Sequence, residues 1–116
     1  MKMLVIEPLP ERGMRVRITD GVSWKAEKTL EHGQDIVAAI HALGRAGDGC
    51  KAIVVRGKIG SFSASRTALV AGTTLGATRG IELVIVEDSI ETVEELRRAL
   101  THVKKKFEYE HPPNIS

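Results

Sequence analysis

Twelve consecutive uncharged residues, Thr67 to Thr78, stand inside a chain in which 28% of residues are charged. A helix with one solvent face normally carries charge at about a quarter to a third of its positions, so a run of this length should hold roughly three charges. The run lies in Gly57–Gly80, GKIGSFSASRTALVAGTTLGATRG. A β-branched stretch, Ile53-Val54-Val55, feeds a glycine-punctuated loop, and the loop feeds a helix that closes at Gly80. A second apolar run, Ile81 to Val86, follows at once. Strand, loop, helix and strand in that order form the repeating unit of a parallel sheet.

At about 100° per residue, Ala68, Leu69, Gly72, Leu75 and Gly76 fall on one side of this helix. Their small side chains would let it lie close on a sheet. Arg66, Val70, Thr73, Thr74 and Ala77 fall on the other side, which is neither an apolar core nor a charged solvent face. Two readings are open: a contact surface for another chain, or a helix buried on both sides within its own domain. A chain of 116 residues has little left over to cover a second face, which favours the contact surface.

That length fits one domain with a real core, 1–110, followed by a loose tail, 111–116, after Pro112-Pro113. Lys and Arg number 17 against 15 Asp and Glu, so no bulk field demands nucleic acid. The single Cys50 excludes a disulfide framework and suits a reducing cytosol. A leader and a membrane-length apolar run of roughly 18–20 residues are both absent, so the expected setting is cytoplasmic and away from the membrane.

Met3–Ile6 is a short apolar strand before Pro8 and Pro10. Met14, Val16 and Ile18 alternate with Arg15, Arg17 and Thr19, which predicts a strand with one buried face. Asp20-Gly21 predicts a two-residue hairpin turn, after which Val22, Trp24 and Ala26 alternate with Ser23, Lys25 and Glu27. Arg15, Arg17 and Lys25 read as a solvated strand face, with a basic stripe for phosphates as the alternative. Gln34–Arg45 predicts a helix with Ile36, Val37, Ile40 and Leu43 inward, ended by Gly44, Gly47 and Gly49. A last helix follows Glu87, capped by Asp88 with Glu91 or Ser89 with Thr92. Ile90, Val93, Leu96, Leu100, Val103 and Phe107 line its buried face. Glu91, Glu94 and Glu95 in its first turn and Lys104, Lys105 and Lys106 in its last would complement the helix dipole; RNA contact is the other use for the lysines.

The element order is therefore β-β-β-α-β-α-β-α, an α/β mixed sheet with helices on both faces, which resembles a single ribonuclease-H-like domain, half of the actin-like ATPase fold. Such enzymes hold metal ions with carboxylates at strand ends. Here the first strand ends at Glu7-Pro8 and the fourth at Arg56-Gly57, a pattern that does not assemble a two-metal nuclease site. The loop before the uncharged helix offers Lys58, Gly60, Ser61 and Arg66 as weak anion ligands, though no Walker A or dinucleotide fingerprint is present. Ser61 and Ser63 lack an evident base, and His32 and His41 lack partners at metal-ligand spacing, so neither catalysis nor a cofactor is expected.

Gly60-Ser61-Phe62-Ser63 followed by Arg66 resembles the GPGSFTGLR motif of the TsaB (YeaZ) family, the non-catalytic subunit of the bacterial threonylcarbamoyladenosine tRNA-modification machinery. Gly80-Ile81-Glu82-Leu83 resembles that family's GIPL, and His32, Gln34, Ile36, Val37 and Ile40 resemble its HSE-x-L-L-P-x-I helix. The register runs from Met1 to about Leu96. The family's first-strand Asp-Thr-Ser is replaced by Glu7-Pro8-Leu9, Ile59 stands for the motif's proline, and the second actin-like lobe has no counterpart. The resemblance implies that the helices Gln34–Arg45 and Ser63–Thr78 pair with a TsaD-like ATPase or with a second copy, tRNA being involved only indirectly. The implied contact residues are Ser63, Arg66, Thr67, Val70, Thr73, Thr74 and Ala77, with His41 from the other helix. The alternative function is a small nucleotide- or phosphate-binding protein using the Gly57–Ser63 loop.

Overall fold

The computed structural model describes residues 1–9, 13–31, 36–43, 49–57, 62–88 and 90–110, with the side chains of 37, 62–65 and 104–110 left out of the description. Five strands form one mixed sheet: β1 (Met3–Pro8), β2 (Met14–Thr19), β3 (Trp24–Leu30), β4 (Ala52–Arg56) and β5 (Glu82–Val86), in the spatial order β3-β2-β1-β4-β5. The β1–β2 and β2–β3 pairs are antiparallel; β1–β4 and β4–β5 are parallel. The helices are α1 (Ile36–Ala42), α2 (Phe62–Arg79) and α3 (Val93–Glu110). Among the described residues, no helix is long and apolar enough to cross a membrane.

Two apolar cores sandwich the sheet. Leu4, Ile6, Val16, Ile18, Ile53 and Val55 pack with Ile36 and Ile40 of α1 and with Ala68, Ala71 and Leu75 of α2. On the opposite side Met3, Val5, Val54 and Val86 pack with Ile90, Leu96 and Ala99 at α3. The central strands β1 and β4 are thus covered on both faces, and 3–6 and 52–55 read as continuous apolar runs for that reason.

The strand β2 departs from expectation. Arg17 and Thr19 are buried like Val16 and Ile18, so both faces are covered rather than one. The Ile90–Glu91 segment ahead of α3 and the Trp24 ring cover Arg17, so β2 keeps neither a solvated face nor a phosphate stripe, while Lys25 on β3 is exposed as the solvated reading expects. The hairpin differs too. β2 and β3 are joined by four residues, Asp20–Ser23, and Val22 is 79% exposed outside any strand. Gly21 has a positive φ of 98°, but the four-residue connection is not the two-residue loop of a type I′ hairpin. Asp20 Oδ1 instead accepts the N–H groups of Val22 and Ser23, at 2.8 and 2.9 Å.

Beyond this loop the register pairs Thr19 with Trp24 and Ile18 with Ala26, leaving Lys25 as a bulge. The extra residue turns Trp24 onto the α3 side while Ala26 stays on the α1–α2 side. The expected common face for Trp24 and Ala26 is broken there.

The last helix begins at Val93, later than expected. Its cap is Thr92 with Glu95: Thr92 Oγ1 accepts the Glu95 N–H at 3.0 Å, and Glu95 Oε1 accepts the Thr92 N–H at 3.1 Å. Asp88 and Glu91 do not cap it, and Ser89 lies outside the described residues. The helical backbone continues to Glu110, so Lys104–Lys106 precede a last turn that holds no basic residue, and their expected role at the dipole is overturned. The tail 111–116 and the glycines Gly44 and Gly47 lie outside the described residues.

Candidate functional site

α2 lies against the sheet through Ala68, Ala71, Gly72, Leu75 and Gly76, all buried. The contact is close: a Cβ added at Gly72 would stand 2.6 Å from Val55 Cγ2 and 3.1 Å from Leu83 Cδ1. Leu69, expected on this side, is 40% exposed, and Ala71 takes its place in the core. The helix ends in a Schellman arrangement, with Gly80 at φ 66° and the Ile81 N–H donating to the Gly76 carbonyl at 3.0 Å.

The opposite side of α2 faces outward. Arg66, Thr67, Val70, Thr73, Thr74 and Ala77 are all exposed, Val70 by 57%. Thr73 Oγ1 donates to the Leu69 carbonyl at 2.8 Å, so its hydroxyl is turned back onto the helix. Leu69 and Val70 therefore sit in an outer surface without charge between Arg66 and Arg79. Helix α1 belongs to the same layer, since both helices share one core, and its His41 is exposed. Of the expected contact residues, Ser63 has its backbone in α2 and its side chain outside the description; Lys58, Gly60, Ser61 and His32 lie outside the described residues altogether. Arg66 is thus the one weak anion candidate whose placement is described.

A second constellation lies at the carboxyl ends of β1 and β4. The Glu7 side chain is 1% exposed. Arg15 donates to it through Nη2 at 3.1 Å and Nε at 3.3 Å, and Arg17 Nη2 donates to Oε1. Arg56 Nη1 stands 4.0 Å from the same carboxylate. Arg17 also donates to the carbonyls of Ile90 at 2.7 Å and Glu91 at 3.0 Å, and its guanidinium stacks 3.7 Å over the Trp24 ring. Glu91 Oε1 accepts from Arg15 at 2.8 Å, and this bond holds the Glu91 carboxyl below its usual range. Glu91 therefore precedes α3 and binds β2 instead of complementing the helix dipole.

The cluster ties four strands, β1 to β4, to the segment that enters α3. Its carboxylate is neutralised by guanidinium groups, which leaves it poorly suited to a divalent cation. Among the described residues no group of three or more His, Cys, Asp or Glu could hold a metal ion. Sequence reasoning found Glu7, Arg15 and Arg17 but not their union. The signal is the antiparallel register, which sets Glu7 directly opposite Arg15.

A separate depression of about 720 Å³ lies between Val22 and the outer side of α3, lined by Val93, Glu94, Arg97, Arg98, Thr101 and His102. Its polar groups are of mixed sign and belong to neither constellation.

Among solved structures, YeaZ from Pseudomonas aeruginosa superposes on 75% of this chain with a TM-score of 0.62 and 16% identity. This chain shares the fold of that part of YeaZ. A crystal structure of an uncharacterized protein with similarity to peptidase YeaZ from Pseudomonas aeruginosa gives 0.60 at 17% identity, again over 75% of this chain. The chain spans less than half of either structure, 44% and 43% of their lengths. The ribonuclease-H-like reading of the mixed sheet agrees with this likeness. No protein-family profile matches the sequence. No curated protein matches it either.

Proposed function

We propose that this chain is a non-catalytic, TsaB-like interaction subunit that works through the outer side of α2. Its partner is a TsaD-like ATPase subunit or a second copy of the chain, and the process served is tRNA threonylcarbamoyladenosine modification, with tRNA engaged indirectly. The observation that carries this reading is the uncharged outer face of an 18-residue helix, with Val70 57% exposed at its middle. An ordinary solvent helix holds charges in such positions; their absence keeps the desolvation cost of packing low. The shared YeaZ fold supports the TsaB-like reading.

The test is solution mass by light scattering across a concentration series, with and without a TsaD-like protein. Val70→Glu sets a charge in the middle of the face at an exposed position, where the fold tolerates it. If the partner is a second copy, the substitution is expected to halve the mass; if it is a TsaD-like subunit, the substitution abolishes that complex. Both associations unaltered by Val70→Glu would overturn the reading.

A further inference from the structure

β5 and β3 are the two outer strands of the sheet, and they are not alike. β3 exposes Lys25, Glu27, Lys28 and Thr29 and carries the bulge at Lys25. Charges and bulges are the usual devices that keep a sheet edge from pairing with another chain. β5 has no bulge, and its one charge, Glu82, stands at its first position. It reads Glu-Leu-Val-Ile-Val, pairs with β4 in unbroken register, and leaves Ile85 46% exposed.

Backbone parity says which groups face outward. The Gly57 N–H donates to the Val86 carbonyl at 2.8 Å, so Val86 points its polar groups toward the β4 side. Groups alternate along a strand, so Val84 and Glu82 do the same, and Leu83 and Ile85 turn theirs to the open edge. Among the described residues, no backbone hydrogen bond from a loop or cap reaches Leu83 or Ile85.

We propose that β5 is a contact edge for a second copy of this chain, the two sheets joining antiparallel about a two-fold axis at Val84. In this register Leu83 of each copy faces Ile85 of the other as a hydrogen-bonded pair, and both outward residues are satisfied. Glu82 faces Val86 of the second copy, so no two carboxylates oppose one another. The exposed Ile85 side chain gains an apolar neighbour in Leu83 of the second copy, on the α2 side of the sheet. A shift of one residue sets outward groups against inward ones. A shift of two leaves part of β5 opposite residues outside the strand. The strand is thus self-complementary in one register, as an isologous contact requires. This edge is distinct from the outer side of α2, and the contact does not depend on the function proposed for that helix.

The register can be tested by cross-linking. Opposed residues of a non-hydrogen-bonded pair have Cα atoms about 4.5 Å apart, within disulfide reach. Val84→Cys is therefore expected to give a disulfide-linked dimer under mild oxidation. Glu82→Cys, which faces Val86 of the second copy, gives none, and the unmodified chain, whose Cys50 is buried, serves as the control. Ile85→Lys is expected to weaken association through this edge about tenfold or more with the circular dichroism spectrum unchanged. In the unmodified chain the Leu83 and Ile85 amides should exchange more slowly as protein concentration rises. Equal cross-linking at positions 84 and 82, or exchange at Leu83 and Ile85 that is independent of concentration, would overturn the proposal. Val70→Glu should leave the Val84→Cys cross-link intact, and loss of that link would assign the contact to α2 instead.

Discussion

Glu7 and Arg17 form an ion pair with side-chain exposures of 1% and 4%. Taking two charges out of water is expensive, and attraction between them compensates only while both are present. Glu7→Ala would strand Arg17 beneath the segment that enters α3 without its carboxylate and is expected to lower unfolding stability by about 3–5 kcal/mol in urea titration. Replacing the pair together, Glu7→Leu with Arg17→Met, should recover most of that loss, because the apolar isosteres carry no charge to desolvate. Asp20 is a different case. The N–H groups of Ser23 and then Val22 hold its carboxyl at about 2, below the ordinary value of 3.8. A group whose folded value is depressed contributes stability above its unfolded value and loses it as pH falls through the folded one. The Asp20 contribution should therefore be complete above pH 3.8 and decline toward about pH 2. An NMR titration of the carboxyl carbon checks the midpoint, and Asp20→Asn should flatten stability against pH within that window. These residue-level facts were the least legible in the sequence. A buried arginine reads as a surface arginine until the register that supplies its carboxylate is known, and Arg15, Arg17 and Glu7 sit on strands whose pairing offset the composition does not encode.

The helices and strands were far more legible, because each long apolar run has a single role. β1 and β4 are apolar up to the charged residue near each carboxyl end, Glu7 and Arg56, and occupy central places. The small residues of α2 were readable as a close-packing side, and Gly72 gives that reading its measure. Gly72→Val would force branched methyls into a space where a single Cβ already meets Val55 at 2.6 Å, and it should cost about 1–3 kcal/mol by overpacking. Gly80→Ala isolates a backbone effect instead, since a Cβ there meets nothing within 4 Å while φ is 66°. Its expected cost is about 1–2 kcal/mol, read as a lower urea midpoint with unchanged slope. Thr92→Ala removes the oxygen that caps the Glu95 N–H and should cost about 1 kcal/mol. The start of α3 was missed because three overlapping pairs, Asp88–Glu91, Ser89–Thr92 and Thr92–Glu95, share the three-residue capping spacing. Arg15 decides among them by engaging Glu91. The bulge at Lys25 was illegible for another reason: no residue there demands an unusual φ, and Trp24 reaches the α3 side to stack on Arg17 and to donate to the Glu91 carbonyl at 3.1 Å.

At the scale of the whole molecule the two proposed contacts use different parts of one layered sheet, the outer side of α2 and the edge of β5. Two isologous contacts on one chain build assemblies larger than a dimer, whereas either alone stops at two copies. If both operate between copies, Val70→Glu should leave a dimer held by β5, Ile85→Lys should leave a dimer held by α2, and the double substitution should give a monomer. The double variant should retain its fold, because both positions are well exposed, and exposed substitutions shift stability by only about 0.5 kcal/mol in either direction. If α2 instead serves a TsaD-like subunit, Ile85→Lys alone should give the monomer, and that monomer should still bind the subunit. Sedimentation equilibrium on the four chains, with and without the TsaD-like protein, separates the two arrangements. A double variant with the mass of the unmodified oligomer would remove both contacts from consideration, since neither charge could then lie in the surface that holds the copies together.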